Sequence, residues 1–192
     1  AEFSVEPYGE DHAVRYALGA LKGVGERAME SMLTDRSQPV TSFEALAERL
    51  NPDAVGATQL ETLACAGAFD CVTADRAAAH GVMKQVHAEA CRLRDDRRSG
   101  QGGLFGGDAG SVSPIRMPDV HWPLAKAIEA EKDAFGFFFS SHPLDRYAHL
   151  ARGQGARPIA ALSEVPVAEG ARSGATIAAL VEDARWRTSA RG

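Results

Sequence analysis

The chain is poor in the features that would make its function obvious, and each absence excludes something. Three cysteines, Cys65, Cys71 and Cys91, occur in 192 residues, and no two form a CxxC pair. An odd count without a pairing framework excludes a disulfide-stapled fold and fits buried thiols in a reducing compartment, the cytoplasm. His87 and Cys91 stand at i, i+4, yet no second ligand pair accompanies them, so no metal site is expected. No apolar run approaches the roughly 20 residues that span a bilayer. The opening Ala1-Glu2-Phe3-Ser4-Val5-Glu6 has neither the basic region nor the apolar core of a signal peptide, so no membrane partner is expected. Positive charge is not in excess either. The formal net charge is −5, which excludes a chain that holds nucleic acid by bulk charge and leaves only local phosphate contacts.

The densest signal is Tyr16 to Ala28. Apolar spacing over about 12–21 and 25–35 predicts two helices, with Val14, Leu18 and Leu21 on one face and Ala28, Met29, Met32 and Leu33 on the other. They meet at Gly23-Val24-Gly25, where glycine supplies positive φ at little cost. Such a turn exposes the first amides and the positive dipole end of the second helix, a seat for phosphate, with Lys22 and Arg27 flanking it. The same turn also joins helices that bind nothing, and both readings stand at this level.

Residues 1–11 read as an extended lead-in. Thr41 or Ser42 caps a helix containing Ala45 to Leu50, which Asn51-Pro52 ends. A second helix-turn-helix covers Pro52 to Asp70, with Gly67 as its C-cap and Phe69 folding back, and repeats the first unit in plan. Ala74 to Arg98 forms one long helix with Val82, Val86, Ala90 and Leu93 at helical spacing. Its Arg92, Arg94, Arg97 and Arg98 suit a helix C-terminus without any ligand. Ser99 to Pro114 is too rich in Gly and Ser to hold a core and reads as a flexible linker with a mean span on the order of 25 Å. Inside it Leu104-Phe105, three residues after Gln101, reads as a docking peptide rather than a pair that tucks back. A helix follows Trp122-Pro123 and runs through Ala125, Ile128, Ala134, Phe135 and Phe138. Then Ser141 or His142 caps a further helix with Pro143 at its first position; capping accounts for His142 and Asp145 better than hydrolysis does. Gly174 to Thr188 has a strand pattern ending in Arg185-Trp186-Arg187. A lone strand does not stand by itself, so the chain reads as a piece of something larger.

In order, these segments resemble the bacterial replicative DNA polymerase III alpha family, in the part after its catalytic domains. Val14 to Gly25 looks like the family's helix-hairpin-helix opening, and Leu60 to Asp70, ending Ala66-Gly67-Ala68-Phe69-Asp70, like its second unit. Gln101-Gly102-Gly103-Leu104-Phe105 is similar to its sliding-clamp motif. Glu131 to Asp145, with Ser140-Ser141-His142-Pro143-Leu144-Asp145, looks like a family stretch of the same pattern. The segment from Gly174 looks like the start of its OB-fold.

The resemblance implies a mainly α chain. A tandem helix-hairpin-helix domain would cover 1–98, a linker with the clamp peptide 99–120, a helical connector 121–157 and the start of an OB-fold 158–192. Duplex DNA would meet Lys22, Gly23, Val24, Gly25 and Arg27, and single-stranded template would meet Arg185, Trp186 and Arg187. The sliding clamp would take Gln101, Leu104 and Phe105. Other replicase subunits are further expected partners. No catalytic residue and no cofactor is expected here, because nothing resembles the palm aspartates with which a polymerase holds Mg2+; the chain should be inactive alone. Two departures weaken the match. Gly56-Ala57-Thr58 stands where basic residues are usual, and Gly102-Gly103 adds entropy to be lost on clamp binding. The alternatives are the same region of an error-prone relative, and a helix-hairpin-helix scaffold that packs on neighbours without touching DNA.

Overall fold

A computed structural model describes residues 2–34, 39–99, 111–162 and 166–187. The chain divides into two units, 1–139 and 140–192. Helix dominates, with seven α-helices and a single two-stranded sheet among the described residues.

The first unit opens on an antiparallel hairpin of β1 (Ser4–Tyr8) and β2 (Asp11–Arg15), paired from Ser4 opposite Arg15 to Tyr8 opposite Asp11. Its loop is Gly9-Glu10. Gly9 has φ 62° and Glu10 is not positive, the pattern of a type II′ turn, whose twist suits two strands. This corrects the expected helix over 12–21. Val14 is 66% exposed, so the Val14, Leu18, Leu21 stripe does not form one buried face. Among the described residues before Gly23, the helical piece is a 3-10 turn, Leu18–Ala20.

The other helices of this unit are α1 (Glu26–Leu33), α2 (Phe43–Arg49), α3 (Ala57–Cys65), α4 (Arg76–Ser99) and α5 (Leu124–Phe135). Ser42 caps α2, its Oγ accepting from the Ala45 N–H at 3.1 Å. The αL glycine Gly67, φ 81°, closes α3. The Gly67 N–H donates to Ala64 O and the Ala68 N–H to Leu63 O, the two bonds of a Schellman end. Phe69 then turns back into the core, edge-on to Phe43. Gly136, φ 90°, ends α5 with its N–H donating to Lys132 O at 2.7 Å, so Phe138 lies beyond the helix rather than in it.

Leu60, Leu63, Val82, Met83 and Val86 are fully buried where α3 meets α4. Truncating one of these leucines would cost about 2–5 kcal/mol. Glu131 shares the buried face of α5 with Ile128 and Phe135. A buried carboxylate needs a partner, and Arg76 supplies one at 3.1 Å while its other nitrogens hold Asp70. Burial and the Arg76 pairings place an ionic knot between α4, α5 and the turn after α3. Arg76 lies so close over Gly67 that a Cβ there would come within 2.4 Å of its Nη2.

Residues 111–120, expected to belong to a flexible linker, run instead as an extended strap on the first unit. The Ser113 N–H donates to Glu89 and the Ile115 N–H to Glu44. The Ile115 side chain is buried, and that apolar anchor together with the bonded amides explains the difference. Gly81 of α4 permits the crossing: a Cβ there would sit 2.8 Å from Pro118 Cγ.

In the second unit a 3-10 helix, Pro143–Tyr147, leads into α6 (Ala148–Gly153), and α7 is Ile159–Leu162. The His142 ring accepts from the Leu144 N–H at 3.1 Å and Asp145 accepts from the His142 N–H at 2.8 Å. Pro143 sits at the first helical position, so His142 and Asp145 form a reciprocal cap. No strand forms over 171–187, whose residues are exposed. The expected strand lacks a ladder partner among the described residues and remains irregular.

Candidate nucleic-acid interface

The turn between the 3-10 piece and α1 has the geometry that its glycines imply. Gly23 has φ 74° and Gly25 φ 76°, where an L side chain costs on the order of 1–3 kcal/mol. Gly25 is the N-cap of α1 and no side chain caps it. The amides divide into two sets. The Lys22 N–H donates to Ala134 O at 2.9 Å and the Val24 N–H to Leu21 O at 3.2 Å. Val24, expected to offer its amide to a phosphate, instead turns that amide inward, and its side chain is in the core. The N–H groups of Gly23 and Gly25 have no partner among the described residues, and both residues are exposed. The first N–H groups of α1 lie beyond them, bare by the geometry of any helix start.

Lys22 and Arg27 are exposed and form no ion pair among the described residues. The Lys22 stem lies against Gly136, where a Cβ would come within 2.9 Å of its Cε. Glu26, also exposed, is the first residue of α1. Its carboxylate suits the helix dipole but competes with any phosphate at the same place.

Gln59, which sequence reasoning did not single out, ties this turn to α3. Its Nε2 donates to Val24 O at 2.5 Å and to Gly23 O at 3.3 Å. Its Oε1 accepts from the Gly56 N–H at 2.8 Å. A Gln at the third helical position after a glycine cap is the local signal that could have flagged it; the partners 35 residues away carry no such signal.

The arginine-rich end of α4 behaves differently. Arg92 bonds Glu89, Asp96 and Ser111 O. Arg94 and Arg98 both hold Asp53, and Arg97 donates to Glu48 O. Arg92 first, and then the Ser113 N–H, hold the Glu89 carboxyl down to about 2. This basic cluster is occupied within the protein, as the reading without a ligand expected.

A cleft of about 510 Å³ lies between α3, α4 and α5, lined by Glu61, Cys65, His80, Trp122 and Asp133 among others. Burial, with Glu61 and Asp133 adding to it, pushes the Cys65 thiol up to about 11, so it stays protonated and a poor nucleophile. The Cys91 Sγ is 3.8 Å from His87 Nδ1. No three His, Cys, Asp or Glu side chains converge as metal ligands among the described residues.

In the second unit Trp186 is fully exposed and Arg185 pairs with Asp183 at 2.7 Å. Gln101, Leu104 and Phe105 lie outside the described residues. No described helix is long and apolar enough to cross a membrane.

A 3-10 turn and α1 meet at this glycine turn, whose outward amides lie beside two cations that form no ion pair among the described residues. The family model described as a helix-hairpin-helix motif matches residues 1–79. DNA polymerase III subunit alpha from Caulobacter vibrioides is 36% identical over 156 residues, covering 79% of this chain and 13% of that protein. The protein of the same name from Neisseria meningitidis serogroup A is 32% identical over 158 residues, 79% of this chain and 13% of the relative. That from Mycobacterium tuberculosis is 30% identical over 154 residues, 76% of this chain and 13% of the relative. The chain belongs to the DNA polymerase III alpha family. It spans about one eighth of the length of the curated relatives it matches.

Proposed function

We propose that this chain is a DNA-gripping and clamp-tethering part of a replicative polymerase in the cytoplasm. The carrying observation is the Gly23–Gly25 turn before α1, whose Gly23 and Gly25 amides and whose Lys22 and Arg27 charges have no partner among the described residues. Amides and cations of this kind hold phosphate and read no sequence, as template-directed synthesis on any template requires. Gln101, Leu104 and Phe105 would dock into a sliding-clamp pocket, and a moderate peptide affinity would become processivity through rebinding at high effective concentration. Arg185, Trp186 and Arg187 would meet single-stranded template by charge and stacking. Nucleotidyl transfer, its Mg2+ and the other replicase subunits would belong to parts of the polymerase outside this chain.

The test is a titration of the chain against duplex DNA at low and moderate salt, beside Gly23→Val. The added Cβ meets nothing within 4 Å, while the φ of 74° strains any L side chain. Duplex affinity should fall in the variant; an unchanged binding curve removes the phosphate seat. Leu104→Ala with Phe105→Ala should abolish clamp capture in a pull-down and leave duplex affinity alone.

A second reading has its own support. The net charge of −5 and Glu26 at the mouth of the turn favour a scaffold that packs on neighbouring domains. No duplex binding at low salt would select it. The error-prone relative shares the same hairpin and is separated from the replicative form by clamp capture.

A further inference from the structure

We infer that Gln59 is the positioning residue of the backbone-binding turn, holding the Gly25 amide in the orientation that a phosphate needs. The inference rests on the DNA reading above and adds a residue from a different helix to it. A trans peptide is planar, so its C=O and the following N–H point in opposite directions. The Val24 carbonyl and the Gly25 N–H share one such plane. Gln59 Nε2 draws the Val24 carbonyl toward α3 at 2.5 Å, which aims the Gly25 N–H away from α3. The preceding plane behaves alike: Gly23 O is drawn to the same Nε2 at 3.3 Å, while the Val24 N–H bonds Leu21 O.

The side chain is fixed at both ends. Only Nε2 of a Gln amide donates, and only Oε1 accepts. Oε1 is engaged by the Gly56 N–H at 2.8 Å, so Nε2 has one direction left. That direction leads to the turn. Gly23 and Gly25 have positive φ and no side chains, so nothing of their own holds these planes against rotation. Without the bond from α3, the Gly25 plane can turn its N–H out of line with the first amides of α1.

Gln59→Met in the same chain is the direct test, since it keeps side-chain length and charge but loses both hydrogen-bonding ends. Fluorescence anisotropy with a mixed-sequence duplex at low salt should show affinity reduced about fivefold, the worth of one lost hydrogen bond. Amide NMR supplies a readout that a merely structural role would not move: duplex should shift the Gly25 N–H resonance in the unaltered chain and shift it much less in the variant. If Gln59→Met lowers the melting temperature too far to use, Gln59→Glu keeps the acceptor for Gly56 and lacks the donor, and it should show the same loss of the Gly25 shift. Unchanged affinity with an unchanged Gly25 response in a folded variant overturns the inference. If Gly23→Val weakens binding while the Gln59 variants do not, only the role of Gln59 falls. If neither changes binding, or the unaltered chain does not bind, the phosphate seat falls as well.

Discussion

Two basic regions of this chain differ in what their charges touch. The end of α4 carries four arginines, Arg92, Arg94, Arg97 and Arg98, and each bonds a carboxylate or a carbonyl of the protein itself. The turn and the start of α1 have Lys22 and Arg27, and neither has an ion-pair partner among the described residues. By charge density α4 is the better candidate for DNA. By available charge it is the poorer one, because a phosphate must first displace Asp53, Asp96 or Glu89. A cation bound to its own fold stabilises that fold; a cation held in solvent beside bare amides remains available for a ligand.

Arg92→Gln should have the largest effect, and it falls on stability. It removes the main hydrogen bond to the buried Glu89 and should cost about 1–2 kcal/mol after allowance for solvent screening at the half-exposed guanidinium. The sign with pH follows from the depressed carboxyl. With Glu89 held at about 2 against an ordinary 4.5, its contribution is present above pH 4.5 and is lost as pH falls toward 2. Urea melts across that acid range should show a shallower decline in the variant than in the unaltered chain. Equal declines would mean that the pair does not hold Glu89.

Binding should follow the other region. Arg27→Ala should weaken duplex affinity several-fold and reduce the salt slope by about 1. Arg97→Ala with Arg98→Ala, which removes twice the charge, should leave both quantities where they were. A larger loss from the α4 pair would invert the comparison. The smallest expected effect is that of Asp53→Asn, which frees Arg94 and Arg98 from their shared partner. The melting temperature should barely move, since these are exposed pairs, and duplex affinity should stay where it is; a rise would show that released charge on α4 reaches DNA.

Much of this architecture was legible where the cause is local. Ser42, Gly67 and the His142–Asp145 pair act on backbone groups within a few residues of themselves, so residue type and spacing predict their roles. The stripe of α4 was legible because Val82, Val86, Ala90 and Leu93 repeat at the helical period and are buried together. The hairpin of β1 and β2 was not, for a physical reason. Ser4 and Val5 are exposed and so is all of β2, so the strands show no alternation of inward and outward residues, and Val14, Leu18 and Leu21 imitated a helical face. The strap was missed because its Gly- and Ser-rich neighbour dominated the reading, while the anchor is a single Ile115 with amides bonded to Glu44 and Glu89. In the candidate interface the glycines and cations were readable. The inward turn of the Val24 amide and the reach of Gln59 were not, since both depend on segments brought together only by folding.

Gly67 joins effects that would otherwise be separable. It closes α3 with a φ of 81° and lies beneath the Arg76 guanidinium, which holds Asp70 and the buried Glu131. A single methyl there would strain the helix end and push the guanidinium off α5 together. Substitutions at Gly67, Arg76 and Glu131 should therefore not add. Once the first is made, the second and third have less left to remove, and double-mutant cycles would register a helix cap and an interhelical ion pair as one cooperative unit.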